Sequence, residues 1–160
     1  MNDVVEIRVD DRLIHGQVAG LWTNALKATR LMVIDDAVAG DETQKQLLRM
    51  VAPASVNTSI ITEDKAFANL RDNKYAGQRV FILVKSPTVL KRLVDRGLSI
   101  SRINLGNLSG RENTDSIRAG IAVTPEEKQA LIDLLECNVT VTAIKTPNDP
   151  ESFVKLEELR

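Results

Sequence analysis

Short apolar runs alternate along the chain with segments whose apolar residues recur at helical spacing. The short runs predict strands, and the segments with a repeat of three or four residues predict amphipathic helices. Strands are predicted at 4–9, 31–34, 56–61, 80–84, 102–105, 120–123 and 139–144. Helices are predicted at 17–28, 42–52, 62–71 and 86–97, with a further helix starting at 124. This alternation is typical of repeated β-α-β units, in which parallel strands carry helices on both faces.

The pattern therefore predicts a single α/β domain over residues 1–160. Its centre is a mostly parallel open sheet with helices on both faces, and a candidate active loop follows the first strand. The C-terminal tail, residues 146–160, is expected to pack on this domain and to form a short helix near 153–159. The most apolar run, Val80–Val84, is predicted to lie in the middle of the sheet, covered on both faces.

Periodicity also predicts which side chains are buried. In the first strand Val5, Ile7 and Val9 alternate with Glu6 and Arg8, so the three apolar residues are expected on the better-buried face. Two helices are expected to turn an apolar stripe inward, formed by Val18, Leu21, Trp22, Ala25 and Leu26 in the first and by Leu47, Leu48 and Val51 in the second.

Composition narrows the classes of function. The 160 residues carry 21 Lys and Arg against 22 Asp and Glu, which argues against binding to nucleic acid or to an anionic membrane surface. Neither a Gly-x-Gly-x-x-Gly nor a Gly-Lys-Ser/Thr motif is present, so nucleotide binding is disfavoured. The single cysteine, Cys137, excludes an intrachain disulfide and is expected in the core. We find no signal peptide and no apolar run of the ~20 residues that cross a bilayer, and we expect a cytoplasmic protein.

The only histidine, His15, lies in the predicted loop between the first strand and the first helix. Open parallel sheets bind ligands at the carboxyl ends of their strands, where this loop is expected. An imidazole can act as a nucleophile, a base or a ligand near neutral pH, and the free N–H groups at a helix start attract anions. The position suits a histidine that carries a phosphoryl group, although a lone histidine is more often structural or merely exposed.

Three charged residues, at positions 10–12, lie within five residues of this histidine. Arg12 is predicted either to clamp the loop by pairing with Asp10 or Asp11, or to contact a bound anion, and the two roles can coexist. Asp10 is interpreted as an orienting residue. Asp11 is interpreted as solvated or as hydrogen-bonded within the loop.

Other residues near the same edge of the sheet have two interpretations each. Asn107 and Ser109 are either contacts at the rim of the site or ordinary turn residues. Asp35 and Asp36 either assist the site or cap a turn. Ser86 is interpreted as a helix cap. Trp22 is expected in the core.

The segment 8–18, Arg-Val-Asp-Asp-Arg-Leu-Ile-His-Gly-Gln-Val, resembles the signature of enzyme IIB components of mannose-type sugar phosphotransferase systems, the mannose/fructose/sorbose family. Later blocks resemble the same family in the same order, at 35–38 with Asp41, 47–53, 84–87 and 103–107. The resemblance extends over roughly residues 4–150.

This resemblance implies a phosphotransferase that accepts a phosphoryl group from a phosphohistidine of enzyme IIA and passes it to a sugar at the membrane components IIC and IID. His15 matches the phosphorylated histidine. Arg12 would hold the phosphoryl oxygens in its guanidinium fork, and Asp10 would orient Arg12 or the imidazole. Backbone N–H groups near Gly16 and Gln17 would complete the anion site. No metal, nucleotide or other cofactor is implied, since the histidine itself is the nucleophile.

A second hypothesis assigns the same loop to a non-catalytic regulatory module that binds a free anion or a phosphorylated protein. In either case the chain would reach the membrane only through protein partners, and association into a homo-oligomer is compatible with the sequence.

Overall fold

The computed structural model describes residue 1 and residues 3–160. Within them, six strands form one parallel sheet in the order β3-β2-β4-β1-β5-β8. These strands are β1 (Val4–Asp10), β2 (Arg30–Ile34), β3 (Asn57–Ile61), β4 (Val80–Val84), β5 (Arg102–Asn107) and β8 (Thr140–Thr142). A separate antiparallel pair joins β6 (Asp115–Arg118) to β7 (Ile121–Val123). The predicted α/β class and mostly parallel sheet are confirmed.

Helices cover both faces of this sheet, as predicted. In chain order they are a π-helical turn (Val18–Trp22), α1 (Thr23–Leu26), α2 (Asp36–Ala39), α3 (Glu42–Val51), α4 (Glu63–Arg71), α5 (Pro87–Asp95) and α6 (Pro125–Glu136), and a 3-10 turn follows at Leu156–Glu158. Apolar residues of α4, α5 and α6 fill the core on one face. The loop after β1, the π-helical turn and α2 fill the core on the other.

Local sequence explains where several helices begin. Ser86 Oγ accepts a hydrogen bond from the Thr88 amide and Pro87 occupies the first turn of α5, which confirms Ser86 as a cap. The side chain of Asp35 caps α2, and Asp36 accepts a hydrogen bond from the Glu63 amide at the start of α4. This pair therefore caps helices. All five residues of β4 are buried, as expected for a strand in the middle of the sheet.

Burial on the first helical segment differs from the prediction. Leu21 and Ala25 are exposed, although Val18 and Trp22 are buried as predicted. The Thr23 amide bonds to the Val18 carbonyl five residues back, and such a wide turn does not follow the 3.6-residue repeat that the prediction assumed.

Two further predictions of placement are wrong. Leu47 and Val51 point to solvent because Leu13, Ile14 and Val38 already cover that face of the sheet, which leaves space for little more than Leu48. Cys137 is exposed because it lies at the C-cap of α6, beyond the last buried turn. The predicted strand at 120–123 is present as β7, and it pairs with β6 because the chain folds back on itself there.

The fold places the loop after β1 at the centre of the carboxyl edge of the sheet. β1 lies between β4 and β5, so the segments that follow those two strands flank this loop. The tail crosses back to the far edge, where Phe153 pairs with Thr142 and both Val154 and Leu159 are buried. In residue 1 and residues 3–160, no helix has the length and apolar character needed to cross a membrane.

Candidate functional site

The loop after β1 holds His15 between buried anchors and a helix. Leu13 and Ile14 are buried in the core, and Leu13 adopts a left-handed backbone with φ 59° in a turn closed by its amide on the Asp10 carbonyl. This conformation is uncommon for a residue with a side chain, and such strain is concentrated at functional sites. The His15 carbonyl accepts the Ala19 amide at 2.9 Å, so His15 is at the start of the helix. Its side chain is 18% exposed.

The Asp10 carboxylate is the centre of the site. It is fully buried and accepts five hydrogen bonds, from Arg8 Nε, the Arg12 amide, Arg12 Nε, Arg12 Nη2 and His15 Nε2, at 3.0–3.2 Å. Burial would raise the pKa of Asp10, but hydrogen bonds from Arg12 and His15 and the charge of Arg8 outweigh it, so the pKa is lowered. Because its lowered pKa favours the ionised form, the Asp10 carboxylate can fix the orientation of both Arg12 and His15.

The contact between His15 Nε2 and Asp10 Oδ2, 3.0 Å long, also determines which ring nitrogen is available. An ionised carboxylate only accepts hydrogen bonds, so the imidazole is assigned a proton on Nε2. The other nitrogen, Nδ1, then carries a free lone pair in the neutral ring. The geometry therefore leaves Nδ1 as the ring nitrogen with a free lone pair.

Arg8 supports the carboxylate from inside the protein. Besides Asp10, its guanidinium contacts the Ile144 carbonyl at 3.2 Å and the Lys145 carbonyl at 3.5 Å, and it lies 4.9 Å from the centre of the Trp22 ring. Burial lowers the pKa of Arg8, and the charge of Asp10 opposes that shift. The guanidinium occupies the space beside Gly106, where any side chain would overlap it.

Arg8 and Trp22 add to what the sequence predicted. Arg8 was expected on the more exposed face of the first strand, and that expectation is wrong because the buried Asp10 carboxylate and two backbone carbonyls of the chain satisfy its charge. Trp22 is in the core as predicted, and its indole Nε1 also donates to the Lys145 carbonyl at 2.9 Å.

Asp11 joins the active loop to the segment after β5. Its amide donates to the Asn107 carbonyl, and its carboxylate accepts from Asn107 Nδ2 and from the Ser109 amide, both at 2.8 Å. Ser109 and the next turn are held in part by Arg111, which reaches the buried Glu127 of α6. Asn107 and Ser109 thus contact Asp11 rather than His15.

Two residues predicted for the anion site lie at the start of the helix. Gly16 is exposed and Gln17 is half-buried. The first N–H groups of a helix have no partner within it, so the amides of both residues are available to an anion near His15. Within the described part of the chain, no group of three or more His, Cys, Asp or Glu side chains is arranged to hold a metal ion.

Comparison with known proteins adds an independent observation. The sequence profile described as PTS system sorbose subfamily IIB component, where PTS denotes the phosphotransferase system, matches residues 4–158. The chain belongs to this family. The match confirms the resemblance to IIB components of the mannose/fructose/sorbose group, and it extends beyond the active loop to almost the whole chain.

Individual relatives agree with this assignment. The mannose-specific EIIAB component of Escherichia coli K12 is 35% identical over 144 residues, which are 90% of this chain and 45% of that protein. This IIB chain therefore spans less than half the length of that relative. The sorbose-specific EIIB component of Klebsiella pneumoniae is 30% identical over 143 residues, which are 89% of this chain and 87% of that protein.

The fold is shared as well as the sequence. The crystal structure of the IIBSor domain of the sorbose permease from Klebsiella pneumoniae superposes with a TM-score of 0.90 at 28% identity, over 98% of this chain and 95% of that one. The parallel sheet and the helices on its two faces are thus the IIB fold.

Proposed function

We propose that this IIB component is a cytoplasmic phosphocarrier, with His15 as the residue that carries the phosphoryl group. It accepts the group from a phosphohistidine of enzyme IIA and passes it to a sugar at the membrane unit formed by IIC and IID. The observation that carries this proposal is the hydrogen bond from His15 Nε2 to the buried Asp10 carboxylate, which leaves Nδ1 with a free lone pair on a side chain that is partly exposed.

In the first transfer, the lone pair of His15 Nδ1 forms a bond to phosphorus as the bond between phosphorus and the IIA histidine breaks. His15 keeps its Nε2 proton and becomes positively charged, and the IIA ring, protonated on its other nitrogen, leaves as a neutral imidazole. Asp10 stabilises the new positive charge at 3.0 Å. In the second transfer a sugar hydroxyl oxygen bonds to phosphorus as the bond between phosphorus and His15 Nδ1 breaks, the hydroxyl proton passes to a base of the membrane unit or to water, and His15 returns to its neutral form.

Arg12 is suited to hold the phosphoryl oxygens. Its Nε and Nη2 bind Asp10, whereas its side chain is 46% exposed and, among the described residues, its Nη1 makes no hydrogen bond. The guanidinium therefore has donors directed at Asp10 and a donor left for an anion beside His15. The amides of Gly16 and Gln17 would complete this site. Asn107 and Ser109 support the loop through Asp11 at the rim of the site.

Labelling tests the proposal directly. The protein is incubated with radiolabelled phosphoenolpyruvate, the general phosphotransferase proteins and enzyme IIA, and acid-labile label is counted. We expect stoichiometric label on the wild-type protein and none on His15→Ala. In phosphorylated ¹⁵N-labelled protein, NMR of the His15 ring nitrogens should show that phosphorus is bonded to Nδ1. Label on His15→Ala would overturn the proposal, and saturable anion binding without any label would favour the regulatory module.

A further inference from the structure

The outer face of α3 is unusually apolar. The helix has no buried residue, and Leu47 is 57% exposed and Met50 is 79% exposed. Val51, one turn after Leu47, is also exposed. Residues spaced by three and four positions share one side of a helix, so these three side chains form a continuous surface, which we call the α3 patch. Exposed apolar patches of this kind are typical of binding surfaces.

A groove connects the α3 patch to the active loop. It encloses about 220 Å³ and is lined by Asp11, Arg12 and Leu13 of the loop, by Gln44, Leu47 and Leu48 of α3, and by Lys85 at the end of β4. Leu47 thus belongs both to the groove and to the patch. A macromolecule that contacts the loop residues Arg12 and Leu13 from this side would cover both the groove and the patch.

The groove carries excess positive charge before any phosphoryl group arrives. In the part of the chain that the structure describes, no carboxylate lies within 4.0 Å of the Lys85 ammonium, whereas Asp11 is held by the segment after β5. Arg8, Arg12 and Lys85 outnumber Asp10 and Asp11 in and beneath this region. An anionic group is therefore attracted to the empty site.

We propose that the groove and the α3 patch form the docking surface for the phosphorylated donor, enzyme IIA, and that Lys85 steers its phosphohistidine toward His15. The inference rests on the proposed function. Apolar contact with Met50 and Leu47 supplies affinity, and the cations supply a preference for the donor that still carries its phosphoryl group.

The charge of the site favours the donor over the membrane unit as the occupant. The donor meets an empty, positive groove while it carries a phosphoryl group of about two negative charges. After transfer the same charge lies on His15 and neutralises the groove, and the donor has lost the group that was attracted. Transfer itself therefore weakens donor binding and frees the surface.

Matched substitutions test the proposal in a rapid-mixing assay of transfer from phosphorylated IIA. Met50→Asp places a charge in the patch, and Phe153→Asp places the same charge on an apolar residue that is 47% exposed in the C-terminal tail, beside β8. We expect Met50→Asp to raise the half-saturating donor concentration at least tenfold and Phe153→Asp to change it less than twofold. Lys85→Gln should raise it severalfold and reduce its dependence on salt.

A second measurement does not depend on transfer. When unphosphorylated IIA is added to the ¹⁵N-labelled protein, backbone signals of residues 47–51 should shift and the signal of Phe153 should not. Two results together would overturn this inference and leave the phosphocarrier role intact. The wild-type protein would be phosphorylated normally by IIA, and Met50→Asp and Lys85→Gln would reach half-saturation at the wild-type donor concentration. The inference would also be overturned if Met50→Asp accepted the phosphoryl group from IIA normally but passed it to the sugar poorly, since the patch would then serve the membrane unit.

Discussion

The two ends of β1 each hold a carboxylate withdrawn from solvent, and the pKa values of these carboxylates shift in opposite directions. At the amino end, burial raises the pKa of Glu6, and the charges of Arg102 and Arg8 with the Ile7 amide only partly oppose it. At the carboxyl end, the hydrogen bonds to Asp10 outweigh burial and lower its pKa. The number of donors, not the burial, separates these two groups.

The difference shows how this fold stabilises a buried charge where chemistry is expected. Glu6 accepts one backbone hydrogen bond, from the Ile7 amide at 3.2 Å, whereas Asp10 accepts five, four of them from charged or titratable side chains. The five donors to Asp10 are one backbone amide, that of Arg12, three guanidinium N–H groups of Arg8 and Arg12, and His15 Nε2. A single carboxylate thereby orients a nucleophile and a cation together.

Removal of Arg8 should have the largest effect on this arrangement. Arg8→Met leaves the buried Asp10 carboxylate without its inner cation and removes one of the two side-chain donors from each of the Ile144 and Lys145 carbonyls, so we expect a loss of about 3–5 kcal/mol in the free energy of unfolding at pH 7. Denaturant unfolding measures it. The pKa of Asp10 should rise toward its unfolded value, so the part of the stability that wild type loses on acidification through Asp10 should be smaller in the variant. A loss below about 1 kcal/mol would show that Arg8 is dispensable.

Removal of Arg12 should affect transfer more than stability. Arg12 pairs with the same carboxylate from the exposed side, and such pairs contribute about 1 kcal/mol or less. If Arg12 holds the phosphoryl oxygens, Arg12→Ala should slow transfer about a hundredfold, or about 2.7 kcal/mol in activation free energy. Rapid-mixing assays of transfer and denaturant unfolding, both on the same preparation, separate the effect on rate from the effect on stability. Equal losses in both would assign Arg12 to clamping the loop.

Asp11 should have a smaller effect that acts through position. Asp11→Ala removes both bonds to the segment after β5, and we expect transfer to slow about tenfold, or about 1.4 kcal/mol, because the loop is less firmly oriented. Asp11→Asn retains an acceptor oxygen for the Ser109 amide and should recover part of the rate. Asp72→Ala removes an exposed carboxylate distant in sequence and serves as the control. A pH–rate profile with the wild-type shape is expected for Asp11→Ala, because His15 and Asp10 stay paired.

Much of the fold was predictable because the information is local. The apolar run of β4, the cap residue Ser86 and the helix start at 124 each depend on a few neighbouring residues, and the structure confirms them. The position of the loop that holds His15 was predictable as well, since it follows the first strand of a parallel sheet and therefore lies at the carboxyl edge of that sheet.

What sequence could not predict depends on distant parts of the chain. Arg8 is buried because the carbonyls of residues 144 and 145 and the space beside Gly106 come together around it, and no local pattern records that. The exposure of Leu47 depends on which other residues already cover the sheet. The free ring nitrogen of His15 follows from one 3.0 Å contact, which only coordinates reveal.

The amino end of β1 offers the smallest and most specific test of the comparison. Because the pKa of Glu6 is raised in the folded protein, the folded state holds the proton more tightly than the unfolded chain, whose Glu pKa is about 4.3. The contribution of Glu6 to stability is therefore complete below that pH and is lost as pH rises through the folded pKa. Glu6→Gln cannot ionise, so we expect it to be more stable than wild type by up to about 1 kcal/mol at pH 7 and equal to it near pH 4. Denaturant unfolding at the two pH values measures the difference. A variant that is less stable at pH 7 would mean that Arg102 and the Ile7 amide stabilise the charged form after all, and that the two ends of the strand are more alike than their donors indicate.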